Sequence, residues 1–143
     1  MAEGAGRPPM VVTHQGGMRF GVGIRGHQVI TDQPLGAGGE DLGPTPLELL
    51  GASLGSCVAL YVQQFCHTRG LRYEGMRVEV RPRTVPGRIE RFAVRVVLPV
   101  PLPPHYAQML ERVARSCPAH NTLTHGAAVD VAIEQPEAAA ATA

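Results

Sequence analysis

The sequence predicts an α+β protein built on antiparallel sheet. Strand-like segments fall in consecutive runs rather than alternating one by one with helices, which favours antiparallel pairing. A single long helix with an unmistakable start separates the runs. The chain of 143 residues is 44% apolar and 17% charged, enough to fold as one domain around a sizeable core. With aromatics at 4% and no Trp, that core must come from Leu, Val, Ile, Met and Ala. The domain is expected over residues 10–134, between a flexible leader (1–9) and a frayed Ala-rich tail (135–143).

From Met18 to Ile24 apolar residues alternate with Arg19, Gly21 and Gly23, the period-two mark of a half-buried strand. A turn at Arg25-Gly26 leads to a second strand, His27 to Thr31. The Gly-, Pro- and Asp-rich stretch 32–45 reads as loop. Thr45-Pro46-Leu47-Glu48 is a capping box with Pro at the first helical position, so a helix should begin at Pro46 and stop at Gly70. Its apolar stripe is Leu47, Leu50, Leu54, Cys57, Tyr61 and Phe65. The small residues Gly51, Gly55 and Ala59 mark a second surface for another helix to approach, so the helix should be buried on most sides.

Two longer strands follow, Leu71 to Arg81 with a bulge near Gly75, and Ile89 to Leu98, joined by a hairpin over Pro82 to Gly87. After a stiff Pro-rich linker, Tyr106, Met109, Leu110 and Val113 mark an amphipathic helix whose stripe, extended by four, reaches Cys117. Pro118 opens a short turn or helix. Val129, Val131 and Ile133 predict a last strand. The order is two or three strands, helix, two strands, two helices, strand.

Composition narrows the function. All thirteen positive side chains are Arg, balanced by twelve acids for a net charge of +1. No basic patch of the kind that drives nucleic-acid binding is implied. The uncharged stretch Leu49 to Cys66 contains Ser53, Ser56, Gln63 and Gln64 and is read as a protein-buried helix rather than a membrane span. Three cysteines are an odd number, and the N-terminus lacks a secretory pattern, so a reducing, cytoplasmic setting is expected.

Cys57 and Cys117 each fall on the apolar stripe of a helix, and packing of those helices would let the thiols meet. They then form either a nucleophilic and resolving pair or two ordinary core residues, for free Cys is often buried. Cys66, His67, Cys117 and His120 offer four zinc-type ligands. Against this, Cys66 stands half a helical turn around from Cys57, and the spacing matches no familiar zinc pattern. Arg19, on the polar face of its strand, and Glu48, already engaged by the capping box, are the charged candidates.

The segments GGEDLGPTPLELLGASLGSC and SCPAHNTLTHG resemble the OsmC/Ohr family of thiol-dependent peroxide reductases, over about Met18 to Ile133. The resemblance implies an OsmC-like fold, antiparallel sheets enclosing a long central helix in an intertwined homodimer. It implies Cys57 as the peroxide-attacking cysteine and Cys117 as its resolving partner, with organic hydroperoxides as substrate and an external dithiol as reductant. It also implies an Arg held by a Glu against the reactive thiol. Here Met18 separates Arg19 from the Gly-Gly pair, and Leu47 stands where the peroxidases carry Glu, with Glu48 one residue later. No cofactor or metal is implied. The alternative is a non-enzymatic dimer of the same fold that binds a small apolar or thiol-reactive ligand.

Overall fold

The computed structural model describes residues 6–138. The parts of the expected leader and tail at 1–5 and 139–143 lie outside the described residues. Strands β1 (Val11–Gly16), β2 (Arg19–Ile24) and β3 (His27–Thr31) form an antiparallel meander. Helix α1 (Pro46–Thr68) follows, then the hairpin of β4 (Arg77–Val85) and β5 (Arg88–Val97), and helices α2 (Pro104–Arg115) and α3 (Pro118–His125).

Helix α1 starts where its capping box requires. Thr45 Oγ1 accepts from the Glu48 N–H at 3.2 Å and Glu48 Oε1 accepts from the Thr45 N–H at 3.1 Å. A cap of this kind stabilises a helix by about 1 kcal/mol. At the far end Gly70, at φ +64°, takes the left-handed turn that stops it.

The buried face of α1 is Gly51, Leu54, Gly55, Val58, Val62, Phe65 and Cys66. It is rotated from the expected stripe, for Leu47 and Leu50 are exposed. The cause is tertiary. The β4–β5 hairpin lies across one side of α1, with α2 and α3 on another. The small residues are filled by sheet, not by a second helix of the chain: a Cβ added at Gly55 would come within 2.8 Å of Val80 Cγ2.

Four further expectations are corrected. Residues 71–76 are not strand, because Gly75 at φ +89° turns the chain and the Met76 N–H closes on the Tyr73 carbonyl. The strand instead runs through Pro82, and the irregularity sits between Arg83 and Thr84, leaving Pro86-Gly87 as the tight turn. Helix α2 ends at Arg115, so Cys117 is not on its stripe but caps α3. The expected last strand is absent, and residues 126–138 carry no regular secondary structure. At the other end, β1 takes the place of the open third strand of the first run. Helix α1 is long and apolar enough to cross a membrane by length and composition, but here it packs on the hairpin, α2 and α3.

Candidate functional site

Cys117 is the N-cap of α3, and this local geometry aims its sulfur inward. Its backbone is extended, Pro118 fixes the first helical turn, and the His120 N–H donates to Sγ at 3.2 Å. The side chain is fully buried. Cys57, half-buried in the middle of α1, is close enough to hydrogen-bond with it. Sixty positions of sequence separate two thiols that the packing of α1 on α3 brings together.

Their environments differ. Burial pushes the Cys117 thiol above its ordinary range, and this outweighs the His120 N–H, which favours the anion. The neighbouring Cys57 adds to the rise, since two adjacent thiols resist sharing a negative charge. Cys117 is therefore a protonated, fully buried thiol at neutral pH, whereas Cys57 is only half-buried. Cys66 is fully buried too, raised by burial and partly offset by the Arg69 charge. It shares the buried core with Cys117, but among the described residues it makes no hydrogen bond to either of the other thiols.

The other expected residues are placed elsewhere within one chain. Arg19 donates to the Gln15 carbonyl at 3.2 Å and stands 4.0 Å from Glu40. Glu48 stays in the capping box, at the mouth of an apolar cavity of about 650 Å³ between α1 and β4. Among the described residues no three His, Cys, Asp or Glu side chains converge on a possible metal position. The zinc quartet is thus not assembled, and His67 turns to Tyr73. His120 contributes its backbone N–H to Cys117, while its ring Nδ1 is buried with no hydrogen-bond partner among the described residues.

Asp32 was not singled out in the sequence, yet it organises the loop before α1. It is 1% exposed, and its carboxylate accepts from the N–H groups of Gln33 (2.7 Å), Glu40 (3.2 Å) and Leu42 (3.2 Å). The available signal was an Asp at the head of a Gly/Pro-rich loop, where a carboxylate commonly ties down local amides. The Gln33 N–H above all, with Leu42, Glu40 and the Arg19 charge, lowers its pKa below 3.8 against the effect of burial. The ionised form favours the fold, so the contribution is complete above the unfolded value near 3.8 and fades as pH falls through the lower folded value. Asp32→Asn should accordingly melt well below wild type at neutral pH, with the gap narrowing in acid below the unfolded value. A gap unchanged across that range in thermal melts would refute the assignment.

An α+β chain with a buried N-cap thiol against a helix-borne thiol defines a class that the comparisons make specific. The family model for OsmC-like protein matches residues 38–132, and the chain belongs to that family. No curated protein matches significantly. Among solved structures, a Psychrobacter arcticus 273-4 protein, proposed to be an osmotic-stress-induced and detoxification-response protein, superposes with a TM-score of 0.76 at 22% identity. That match covers 82% of this chain and 88% of the other. An OsmC-like protein from Mycoplasma pneumoniae gives 0.71 at 15% identity, covering 84% and 89%. An organic hydroperoxide resistance protein OsmC from Legionella pneumophila gives 0.53 at 20% identity, covering 81% and 89%. At these identities the likeness is one of fold.

Proposed function

We propose that this chain is a dithiol peroxidase for organic hydroperoxides, working as a homodimer in a reducing, cytoplasmic setting. The observation that carries the reading is the juxtaposition of a half-buried Cys57 with a fully buried Cys117. Family membership and the hydroperoxide-resistance role of the Legionella protein support it. In this reading the Cys57 thiolate attacks the peroxide, forming an S–O bond as the O–O bond breaks. The leaving alkoxide takes a proton and departs as alcohol, and Cys57 is left as a sulfenic acid. Cys117 attacks that sulfur, an S–S bond forms, and water leaves with the Cys117 proton. An external dithiol reduces the disulfide and is itself oxidised. The apolar surroundings of the pair (Leu54, Val58, Val62) favour an organic substrate over hydrogen peroxide.

A thiolate among apolar neighbours needs a cation. In this reading Arg19 of a second copy supplies it, with Glu48 helping to position the guanidinium. The β1–β3 meander packs mainly on itself rather than on its own α1, which leaves it available to a partner. The second reading, a non-enzymatic binder, has one observation in its favour. Among the described residues of one chain no guanidinium donates to Cys57, and the arginine side chains that do donate, those of Arg19, Arg69, Arg77, Arg83 and Arg115, have other acceptors. One assay separates them. Wild type given one equivalent of cumene hydroperoxide should release cumyl alcohol, acquire a Cys57–Cys117 disulfide visible by mass spectrometry, and turn over when dithiothreitol is added. Unconsumed peroxide with both thiols still free would favour the binder.

A further inference from the structure

The side of the β4–β5 hairpin that faces away from α1 is built of arginines. Val78, Val80 and Phe92 turn the other way, toward the small residues Gly51 and Gly55 of α1. Strand alternation therefore sets Arg77, Glu79, Arg81 and Arg83 of β4 on the outer side, with Arg91 and Arg95 of β5 across from them. Arg88 lies beyond the irregularity that leaves Glu90 without a cross-strand partner, so it pairs with Val85 and joins the same side. All six arginines are exposed. They are nearly half of the chain's thirteen, and only two of its twelve acids, Glu79 and Glu90, accompany them. The other seven arginines and ten acids leave the rest of the chain negative, a separation that the total of +1 conceals.

The face does not neutralise itself. Glu79 serves both Arg77 at 3.3 Å and Arg95 at 3.5 Å, and Glu90 serves Arg83 at 2.8 Å. Arg81, Arg88 and Arg91 form no ion pair among the described residues. Arg83 and Arg91 stand directly opposite, where Cβ atoms are about 5 Å apart and like charges destabilise a pair of strands. Arg81 is one diagonal step away, opposite Ala93. Water and salt screen this repulsion, and an anion laid over the face would reverse it.

We infer that the outer face of the hairpin docks peripherally on an anionic lipid bilayer, with no segment spanning it. The cavities beside the hairpin lie on its α1 side, so the outer side presents no groove for an acidic peptide. Phe92 is turned inward, so there is no aromatic platform on which the bases of an RNA strand could stack. The face offers distributed positive charge on a sheet surface, which a planar array of phosphate headgroups complements. Clusters of about four to eight basic residues hold proteins on such membranes. The negative remainder of the chain orients it with the arginines toward the lipid. This docking goes beyond the peroxidase reading and does not depend on it.

Co-sedimentation of the full chain with vesicles tests the inference without any turnover. In about 0.1 M salt, wild type should pellet with vesicles of equal parts phosphatidylglycerol and phosphatidylcholine, and stay in solution with phosphatidylcholine alone. Salt near 1 M, where the screening length falls to about 3 Å, should release it. Arg81→Gln combined with Arg91→Gln removes two charges that have no acid partner and should weaken binding to the anionic vesicles roughly thirtyfold. Arg7→Gln combined with Arg112→Gln makes the same change in net charge at exposed positions off the face, and should bind within about twofold of wild type. Circular dichroism checks that both double variants fold, and the wild-type comparison of the two vesicles needs neither. Equal pelleting with both vesicles, pelleting with neither, or the same loss in the two double variants would overturn the docking. Retention of poly-uridylate by a chain that ignores the vesicles would also overturn it, in favour of a nucleic-acid surface.

Discussion

Cys57→Ser should abolish hydroperoxide turnover, and Cys117→Ser should halt it after one equivalent. The two variants differ because the structure gives the thiols different surroundings. A hydroxyl at position 57 is not appreciably ionised at neutral pH, so the attack on the O–O bond has no nucleophile and consumption falls to that of buffer. At position 117 the same change spares the attack. Each chain then releases one alcohol and stalls as the Cys57 sulfenic acid, detectable by dimedone labelling, with no disulfide formed. Fast mixing with cumene hydroperoxide reads both outcomes. Should Cys57→Ser retain steady turnover, or Cys117→Ser attack while Cys57→Ser behaves as wild type, the assignment of the half-buried thiol as nucleophile is wrong.

The largest loss of stability is expected at Gly39. A Cβ there would overlap the backbone carbonyl of Gln33 and crowd Asp32 Oδ1, at 2.7 Å. Neither can move freely. The Gln33 carbonyl accepts from the Asp41 N–H, the Gly39 N–H donates to Pro34, and the Asp32 carboxylate is held by three backbone amides. Gly39→Ala must therefore break part of this cage, at roughly 2–4 kcal/mol by analogy with other substitutions that uncouple buried hydrogen-bond networks. Gly36 lies in the same loop, and a Cβ there meets nothing. Gly36→Ala should stay within about 0.5 kcal/mol of wild type. Urea denaturation of the pair makes the comparison, and equal midpoints would contradict the packing described for this loop.

Local features were legible from residue order wherever their causes are local. The capping box at Thr45–Glu48, the left-handed stop at Gly70 and the alternation of β2, β3 and β5 need only neighbouring residues. The pattern misleads where a turn, a cap or a tertiary partner overrides it. Leu71 and Tyr73 alternate like strand residues, yet Gly75 turns them away from the sheet. Pro82 reads as a turn residue, yet sits within β4 opposite Phe92. Extending the α2 stripe by four pointed to an inward Cys117, which is inward for another reason: it caps the next helix. The tail Val129–Ile133 has the right alternation and no strand to pair with in its own chain.

By itself, the order of amino acids determined that this is an α+β chain with one capped central helix and two cysteines set in motifs that resemble a single family. It could not determine how the thiols differ. Whether a sulfur is reachable, protonated or shielded depends on what packs over it, and the groups that do so belong to helices some sixty residues apart in sequence. Only the tertiary structure decided that Cys117 is fully buried at the cap of α3 while Cys57 is half-buried beside it, and that Asp32 is the hub of the loop before α1. The physical reason is that desolvation and hydrogen bonding are properties of a place in space, and sequence spacing fixes that place only within one turn or one strand.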